Sequence, residues 1–201
     1  MPSDTPRPAT ADLRTRVLDV ARGIISAGGL AALTVARLST ESGTSNGSLY
    51  HHFGSRGAII GELCLEAFVA GLGPVAAELD DRPAAVAVPA MAAAYVGWCC
   101  GDRARATLLY EGIAQVEHPA GLLVAKREAF TPVATWFEQR ARAGEVRAVA
   151  PEELDPIVMA PAHECVRRDL LSHGAWSATS MAPAIGRAVW SIVQPGAGAQ
   201  R

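Results

Sequence analysis

The chain has 201 residues, half of them hydrophobic, which is enough for the core of one compact domain or of a small head with a larger body. A formal net charge of −2 argues against a protein that coats nucleic acid without selecting sequence. The charge is unevenly spread: residues 1–58 hold six Arg and four acidic residues (+2), and the remainder holds twelve basic and sixteen acidic residues (−4). This mildly basic N-terminal part favours a polyanionic partner at one end only.

Neither a targeting segment nor a cysteine site is predicted. Residues 1–11 are rich in proline and lack the order of a secretion signal, so we expect a frayed arm there. We expect no uncharged apolar run long enough to span a membrane, and therefore a cytoplasmic protein. The spacing of the cysteines fits neither a redox pair nor a zinc site, which predicts buried, reduced thiols; a thiol sensor is the alternative. The four are Cys64, Cys99, Cys100 and Cys165.

The N-terminal pattern predicts four helices, each with a workable start and stop signal. The first begins near Asp12, ends at Gly28, and carries one apolar face of Leu13, Val17, Val20 and Ile24. Thr34, Ser45 and Ser55 are suited to cap the next three helices, and Gly43 and Gly54 separate them. Buried positions are predicted at Val35, Leu38, Leu49, Phe53, Ile59, Ile60, Leu63 and Ala67.

Beyond the fourth helix, which we expect to reach about Leu79, the chain is Ala-rich and lacks the alternation of β-strands. We therefore predict an all-α protein. Breaks are expected at seven places: 71–74, 82–83, 101–102, 118–119, 143–144, 150–151 and 173–174. Asp155 followed by Pro156 is expected to start a helix. Pro132, Pro161 and Pro183 predict kinks or late helix starts.

Residues 34–56 predict two helices joined by a tight turn at Gly43, the layout of a helix-turn-helix. In that layout, the start of the second helix meets base edges in the major groove. Here the start is small and polar, and Asn46 can pair with adenine through its amide. Arg56 is predicted to contact phosphate, and Arg37 is either a phosphate ligand or an ordinary solvated charge.

Residues 13–60 resemble the DNA-binding head of TetR-family transcriptional regulators. The shared pattern is a glycine turn, a short polar helix start, Leu-Tyr-x-His-Phe, a glycine break, and Ser with a basic residue; it stands here at residues 43–56. The family more often has Lys where Arg56 stands, and often an acidic residue at the position of Gly57. The resemblance implies phosphate contacts by Thr34, Ser45, Ser48, Tyr50 and Arg56, and base contacts by Asn46, Gly47 and His51.

The resemblance also implies a division of the chain into an arm (1–11), a helix-turn-helix domain (12–58), a ligand-binding and dimerisation body (59–195) and a disordered tail (196–201). The last two long helices would pair with those of a second subunit, so that two recognition helices read a palindromic operator. Their apolar stripes are Ile157, Met159, Val166, Leu170 and Leu171, and Met181, Ile185, Ala188, Val189 and Ile192. A core within one chain predicts the same stripes.

The body is expected to bind a small, largely hydrophobic effector that releases a repressor from its operator. Candidate pocket residues are the large or polar side chains among Ala and Val: Tyr95, Trp98, Tyr110, Trp136, Met159 and His163. Control by thiol oxidation or by a protein partner is the alternative. No catalytic motif, metal-ligand spacing or cofactor motif is present in the sequence, so we expect a binding protein without a metal or cofactor rather than an enzyme.

Overall fold

The computed structural model of the protein describes residues 8–172 and 174–196. Within these ranges the regular structure is entirely helical, which confirms the predicted all-α class. Most of the predicted arm and tail lies outside the described residues. The first helix, α1 (Pro8–Gly28), starts four residues before Asp12, so the predicted start there is wrong.

The head consists of α1, α2 (Val35–Ser42) and α3 (Asn46–Phe53), with a 3-10 turn at Leu30–Ala32. The predicted caps are confirmed, because the Thr34 hydroxyl accepts from the Arg37 amide and the Ser45 hydroxyl from the Ser48 amide. Gly43 has a φ of 64°, a left-handed conformation that favours glycine, and it turns the chain between α2 and α3.

The remaining helices form the body, reached through α4 (Arg56–Glu78). Two five-residue π-helical segments interrupt the regular pattern, at Leu108–Gly112 and Leu154–Val158. Short 3-10 turns lie at Ile113–Gln115 and Ala178–Met181. The body helices are α5 (Ala84–Gly101), α6 (Arg103–Thr107), α7 (Ala120–Arg142), α8 (Pro151–Glu153), α9 (Ala160–Leu171) and α10 (Ala182–Val193).

Helix α4 supplies side chains to two hydrophobic cores. Its first half packs Ile59, Ile60 and Leu63 into the core of the head, with α1, α2 and α3. Its second half contributes Val75 to the core of the body, with α5, α7, α9 and α10. The predicted buried positions of the head lie in the first of these cores, apart from the partly buried Val35 that packs against it. One continuous helix therefore ties head and body together.

Two predicted helix boundaries are wrong. The expected break at 71–74 is absent, because α4 runs through Pro74 to Glu78. The Asp155-Pro156 pair does not start a helix but lies within the second π segment, after a helix that begins at Pro151. Pro161 and Pro183, in contrast, stand in the first turns of α9 and α10, as predicted.

The expected absence of a long uncharged apolar run is also wrong, since Ala84–Gly101 contains no charged residue. By length and composition, α4 and α5 are both apolar enough to cross a membrane. A core helix of a helical domain has the same composition, and both helices supply side chains to the cores described above.

The stripes predicted for dimerisation are largely used inside the chain. Ile185 and Val189 of α10 are buried in the core of the body, as is Val166 of α9. Ile157, Leu171 and Met181 are the large apolar members of the two stripes that stay exposed, at 47%, 59% and 40%. The internal packing explains most of the periodicity, and pairing with a second subunit stays a prediction.

Helix α10 crosses α5 at a point where only glycine fits. A Cβ atom added at Gly186 would lie 2.9 Å from the Pro89 carbonyl oxygen and 3.1 Å from the Pro89 Cα. These are backbone atoms of a neighbouring helix, which cannot move aside independently.

We therefore expect Gly186→Ala to lower the free energy of unfolding by about 1–3 kcal/mol. Gly97→Ala is the matched control, because Gly97 lies in α5 with open space at its Cβ position. That change should be neutral or stabilising by up to about 1 kcal/mol, the helix preference of alanine. Chemical denaturation of both variants measures the difference; equal effects would show that the close approach does not limit stability.

Candidate functional site

Helix α3 presents its first turns to solvent. Leu49 and Phe53 are buried in the head, which fixes the rotation of the helix. Tyr50 is 53% exposed on the opposite side. The other predicted contact residues of the motif, except the half-buried Ser48 and Arg56, are also exposed: Thr34, Arg37, Ser45, Asn46, Gly47 and His51. The geometry brings these side chains to one end of the molecule, as a helix-turn-helix requires.

Arg14 of α1 holds the far end of α3 in place. Its guanidinium donates to the His52 carbonyl oxygen at 2.7 Å, pairs with Glu62 of α4, and stacks over the Phe53 ring at 4.6 Å. Cations are favoured at the carbonyl end of a helix. The recognition helix is therefore clamped to α1 and α4 by one side chain.

Arg56 makes three hydrogen bonds within the protein. Its guanidinium donates to the carbonyl oxygens of Leu33 and Leu30, the latter at 3.0 Å, and to Gln115 Oε1 at 3.2 Å. These contacts join the start of α4 to the turn before α2 and to the body. They give Arg56 a structural role, and its predicted phosphate contact stays a prediction.

The positive balance of the head is not all available to DNA. Arg14 and Arg22 pair with Glu62 and Glu66 of α4. Arg37 pairs with Glu41 on the surface of α2. Because Arg56 also makes hydrogen bonds within the protein, the surplus of positive charge counted from the sequence overstates the positive potential that faces a phosphate backbone.

A cavity of about 230 Å³ lies within the body. Its wall is mostly apolar, with polar groups from Tyr95, Tyr110, Lys126, Asp155 and His163. The apolar part comes from α4, α5, α7 and the two π segments, and it includes Phe68, Leu72, Val75, Met91, Leu109, Phe130, Val133, Phe137, Leu154, Val158 and Met159. Both π segments thus line the cavity, in keeping with their frequent occurrence at functional sites.

The polar groups form a connected cluster. The hydroxyls of Tyr95 and Tyr110 lie 2.9 Å apart, and His163 Nδ1 lies 3.1 Å from the first and 3.0 Å from the second. His163 Nε2 lies 3.2 Å from an Asp155 carboxylate oxygen. The three side chains Tyr95, Tyr110 and His163, here named the hydroxyl–imidazole cluster, come from three different elements.

Burial sets the protonation of this cluster. Desolvation raises the pKa of both tyrosine hydroxyls far above their usual range, so they stay neutral. Desolvation also acts to raise the pKa of the Asp155 carboxyl, but the hydrogen bond and charge of His163, with the charge of Lys126, outweigh it. The Asp155 pKa therefore lies below its ordinary value and the group is a carboxylate.

Four of the six predicted pocket residues line the cavity: Tyr95, Tyr110, Met159 and His163. The two tryptophans do not. Trp98 packs behind the wall, where a Cβ atom added at Gly71 would lie 3.0 Å from the indole ring. Trp136 lies at the surface, where its indole donates to the Asp80 carbonyl and Arg140 stacks on its ring. Ligand contact by any of the six stays a prediction.

The two charged residues of the wall, Lys126 and Asp155, are not among the pocket residues predicted from the sequence. Lys126 is the only lysine of the chain, which could have singled it out. The sequence pattern predicts Asp155 as a helix cap, and nothing in a single sequence indicates that a π segment carries it to His163. Among residues 8–172 and 174–196, no group of acidic, His or Cys side chains could hold a metal ion.

The fold and the exposed α2–α3 unit define a helix-turn-helix protein with a separate, cavity-containing helical body. Residues 17–63 match the family model of bacterial regulatory proteins of the tetR family. No curated protein sequence is similar enough to count as a relative.

Solved structures are similar to nearly the whole chain. Their sequence identities are low, so the similarity shows the fold alone. A tetR-family regulator from Shewanella sp. PV-4 is 16% identical, with a TM-score of 0.72 over 92% of this chain and 99% of that one. PfmR of Thermus thermophilus is 20% identical, with a TM-score of 0.62 over 87% and 96%. FadR of Bacillus subtilis, solved with stearoyl-CoA, is 13% identical, with a TM-score of 0.67 over 87% and 96%.

Residues 17–63 are therefore a tetR-type regulatory head, and the rest of the chain shares the fold of solved tetR-family structures. Proteins of this family are DNA-binding transcription regulators rather than enzymes.

Because Arg56 satisfies two carbonyl groups of the turn before α2, Arg56→Met should lower the free energy of unfolding by about 1–3 kcal/mol. Arg37→Met removes an exposed guanidinium from the same head and should change stability by no more than about 0.5 kcal/mol. Denaturant unfolding of the two variants tests this. Unchanged stability of Arg56→Met, with weaker binding to every duplex, would instead support the phosphate contact.

Proposed function

We propose that this protein is a repressor that binds a palindromic operator as a homodimer in the cytoplasm. A small, largely hydrophobic effector bound in the cavity releases it. The observation that carries the proposal is the direct contact between cavity wall and head. Tyr110 lies in the first π segment, the next turn contains Gln115, and Gln115 accepts a hydrogen bond from Arg56.

The same stretch packs closely along the first half of α4. A Cβ atom added at Gly57 would lie 2.9 Å from the Gln115 carbonyl oxygen, and a Cβ atom added at Gly112 would lie 2.5 Å from Cys64 Sγ, so neither position has room for a side chain. The Cys64 thiol donates to the Leu108 carbonyl oxygen at 3.3 Å. With so little space between the segments, a ligand that shifts Tyr110 also shifts the start of α4 and, through Arg56, the head.

The cavity favours an effector smaller than a typical drug. Its volume of about 230 Å³ is below the range of about 300–1,000 Å³ common for pockets that enclose drug-sized ligands. FadR of Bacillus subtilis, which shares the fold, was solved with stearoyl-CoA. We propose a more compact effector for this protein, with an apolar body that contacts the Phe and Met side chains of the wall.

Dimerisation is proposed from the geometry of DNA reading. One α3 has only two turns and reaches a few base pairs, whereas two copies related by a two-fold axis read successive major grooves about 34–36 Å apart. The exposed Leu171 and Met181, on α9 and just before α10, are available for contact with a second subunit. A dimer of this kind would bind one palindrome with two chains.

The proposal is tested by titrating the DNA next to the gene with purified protein, using random duplex as competitor at several salt concentrations. We expect competitor-resistant binding of two chains per palindrome. Similar affinity for all duplexes, with a steep salt dependence, would contradict a sequence-specific regulator.

Two variants separate base reading from backbone binding in that assay. Asn46→Ala should reduce operator affinity by about 1–3 kcal/mol and leave random DNA unchanged, because it removes a base-edge partner. Tyr50→Ala should weaken operator and random duplex by a similar factor, because a phosphate contact is independent of sequence. If Asn46→Ala weakened both equally, Asn46 would not be a base-reading residue.

Control by thiol oxidation is the second candidate, because Cys99 and Cys100 are adjacent in α5. The environment of the thiols argues against it. Burial raises the pKa of Cys64 to about 11 and that of Cys99 to about 12. Desolvation also raises the pKa of Cys100 and Cys165. Thiols that ionise only at high pH are poor nucleophiles at neutral pH.

We therefore expect Cys64 and Cys99 to resist iodoacetamide in the native protein at pH 8 and to react readily in denaturant. Their raised pKa values keep them as neutral thiols there, and reactivity should increase only as the pH rises toward 11. Mass spectrometry of alkylated peptides gives the rates. Rapid native labelling at Cys99, with loss of operator binding, would instead favour the thiol sensor.

A further inference from the structure

Lys126 of α7 brings a positive charge to a cavity with a mostly apolar wall. The side chain is half-buried, and its Nζ lies 4.4 Å from the centre of the Phe68 ring, which also lines the cavity. Within the described part of the chain, no carboxylate forms an ion pair with Lys126. A charge in such surroundings is stabilised by an opposite charge, and the protein supplies only the face of a ring.

The one carboxylate of the wall is already occupied. Asp155 lies close enough to Lys126 to feel its charge, but its hydrogen bond goes to His163. The Lys126 ammonium is therefore the charged group of the wall that is open to a ligand anion.

The hydroxyl–imidazole cluster can supply hydrogen-bond donors beside Lys126. Its three polar atoms form a triangle, so each hydroxyl proton has more than one acceptor within it. A hydroxyl that turns its proton from a neighbour in the triangle toward a ligand oxygen becomes a donor for an anion.

We propose that the effector is a small carboxylic acid with an apolar body, bound as its anion between Lys126 and the hydroxyl–imidazole cluster. The apolar body lies against the aromatic and aliphatic wall. This inference rests on the proposed function only in taking the cavity as the effector site.

The test is calorimetric titration of the full chain with two matched sets of compounds. One set is 3-phenylpropanoate, its amide and its alcohol; the other is octanoate, octanamide and octan-1-ol. In at least one set, the acid should bind about tenfold or more tightly than its amide, the value of a charge-assisted contact in a partly buried site. The amide and alcohol control for the apolar body.

Two variants locate the preference. Lys126→Met keeps an apolar chain over Phe68 and should reduce the acid-to-amide ratio to about one. The amide should bind as in the wild type, which shows that the cavity is intact. Arg127→Met removes the next charge on α7, which is exposed and does not line this cavity, and should leave the ratio unchanged.

One further measurement needs no substitution. Because Lys126 is the only lysine, protein made with ¹³C-lysine gives one lysine side-chain signal, which the acid should shift more than the amide.

Equal or tighter binding of the amides and alcohols, or an acid preference that survives Lys126→Met, would overturn the inference. So would the failure of both acids to bind. These outcomes differ from a failure of the proposed function. An acid that binds through Lys126 but leaves operator affinity unchanged would support the ligand class and contradict effector control.

Discussion

The packing of α4 into both hydrophobic cores is the constraint on which the rest of the structure depends. A helix that is buried at one end in the head and at the other in the body cannot rotate or slide at one end alone. Arg56 strengthens this at the first turn, since one guanidinium bridges the turn before α2 and Gln115 of the body. The orientation of the recognition helix is therefore set in part by residues far from DNA, including Arg14 and its partner Glu62.

The π segments explain how a cavity and a mechanical contact share one short stretch of chain. A π turn holds an extra residue, which widens the helix and re-aims the side chains on either side. The first segment directs Tyr110 into the cavity, and the turn after it reaches Arg56. The second carries Asp155 to the back of His163. Regular helices over the same residues would place these side chains at a different rotation around the axis.

The structure of the head could be predicted from the sequence, because the sequence signals that determine it are local. Thr34, Ser45 and Ser55 cap helices through contacts three residues away, and Gly43 is needed for a left-handed turn. The cavity depends on contacts between distant residues. Four of its predicted members were found because large polar side chains stand out among Ala and Val, whereas Trp98 and Trp136 satisfied the same criterion and pack elsewhere. The Arg56 contacts join residues 23 to 59 positions apart, so the sequence motif could indicate the charge of Arg56 but not its partners.

Coupling between ligand binding and DNA binding depends on which contacts differ between two positions of α4. A ligand changes the operator affinity only by its differential affinity for those positions. Phe68, Leu72 and Val75 of the apolar wall belong to α4, so the apolar body of a ligand contacts this helix directly. Tyr110 adds a second route to the head, because it belongs to the stretch that touches Arg56. A ligand that makes both contacts should therefore release the operator more effectively than a ligand that makes only one of them.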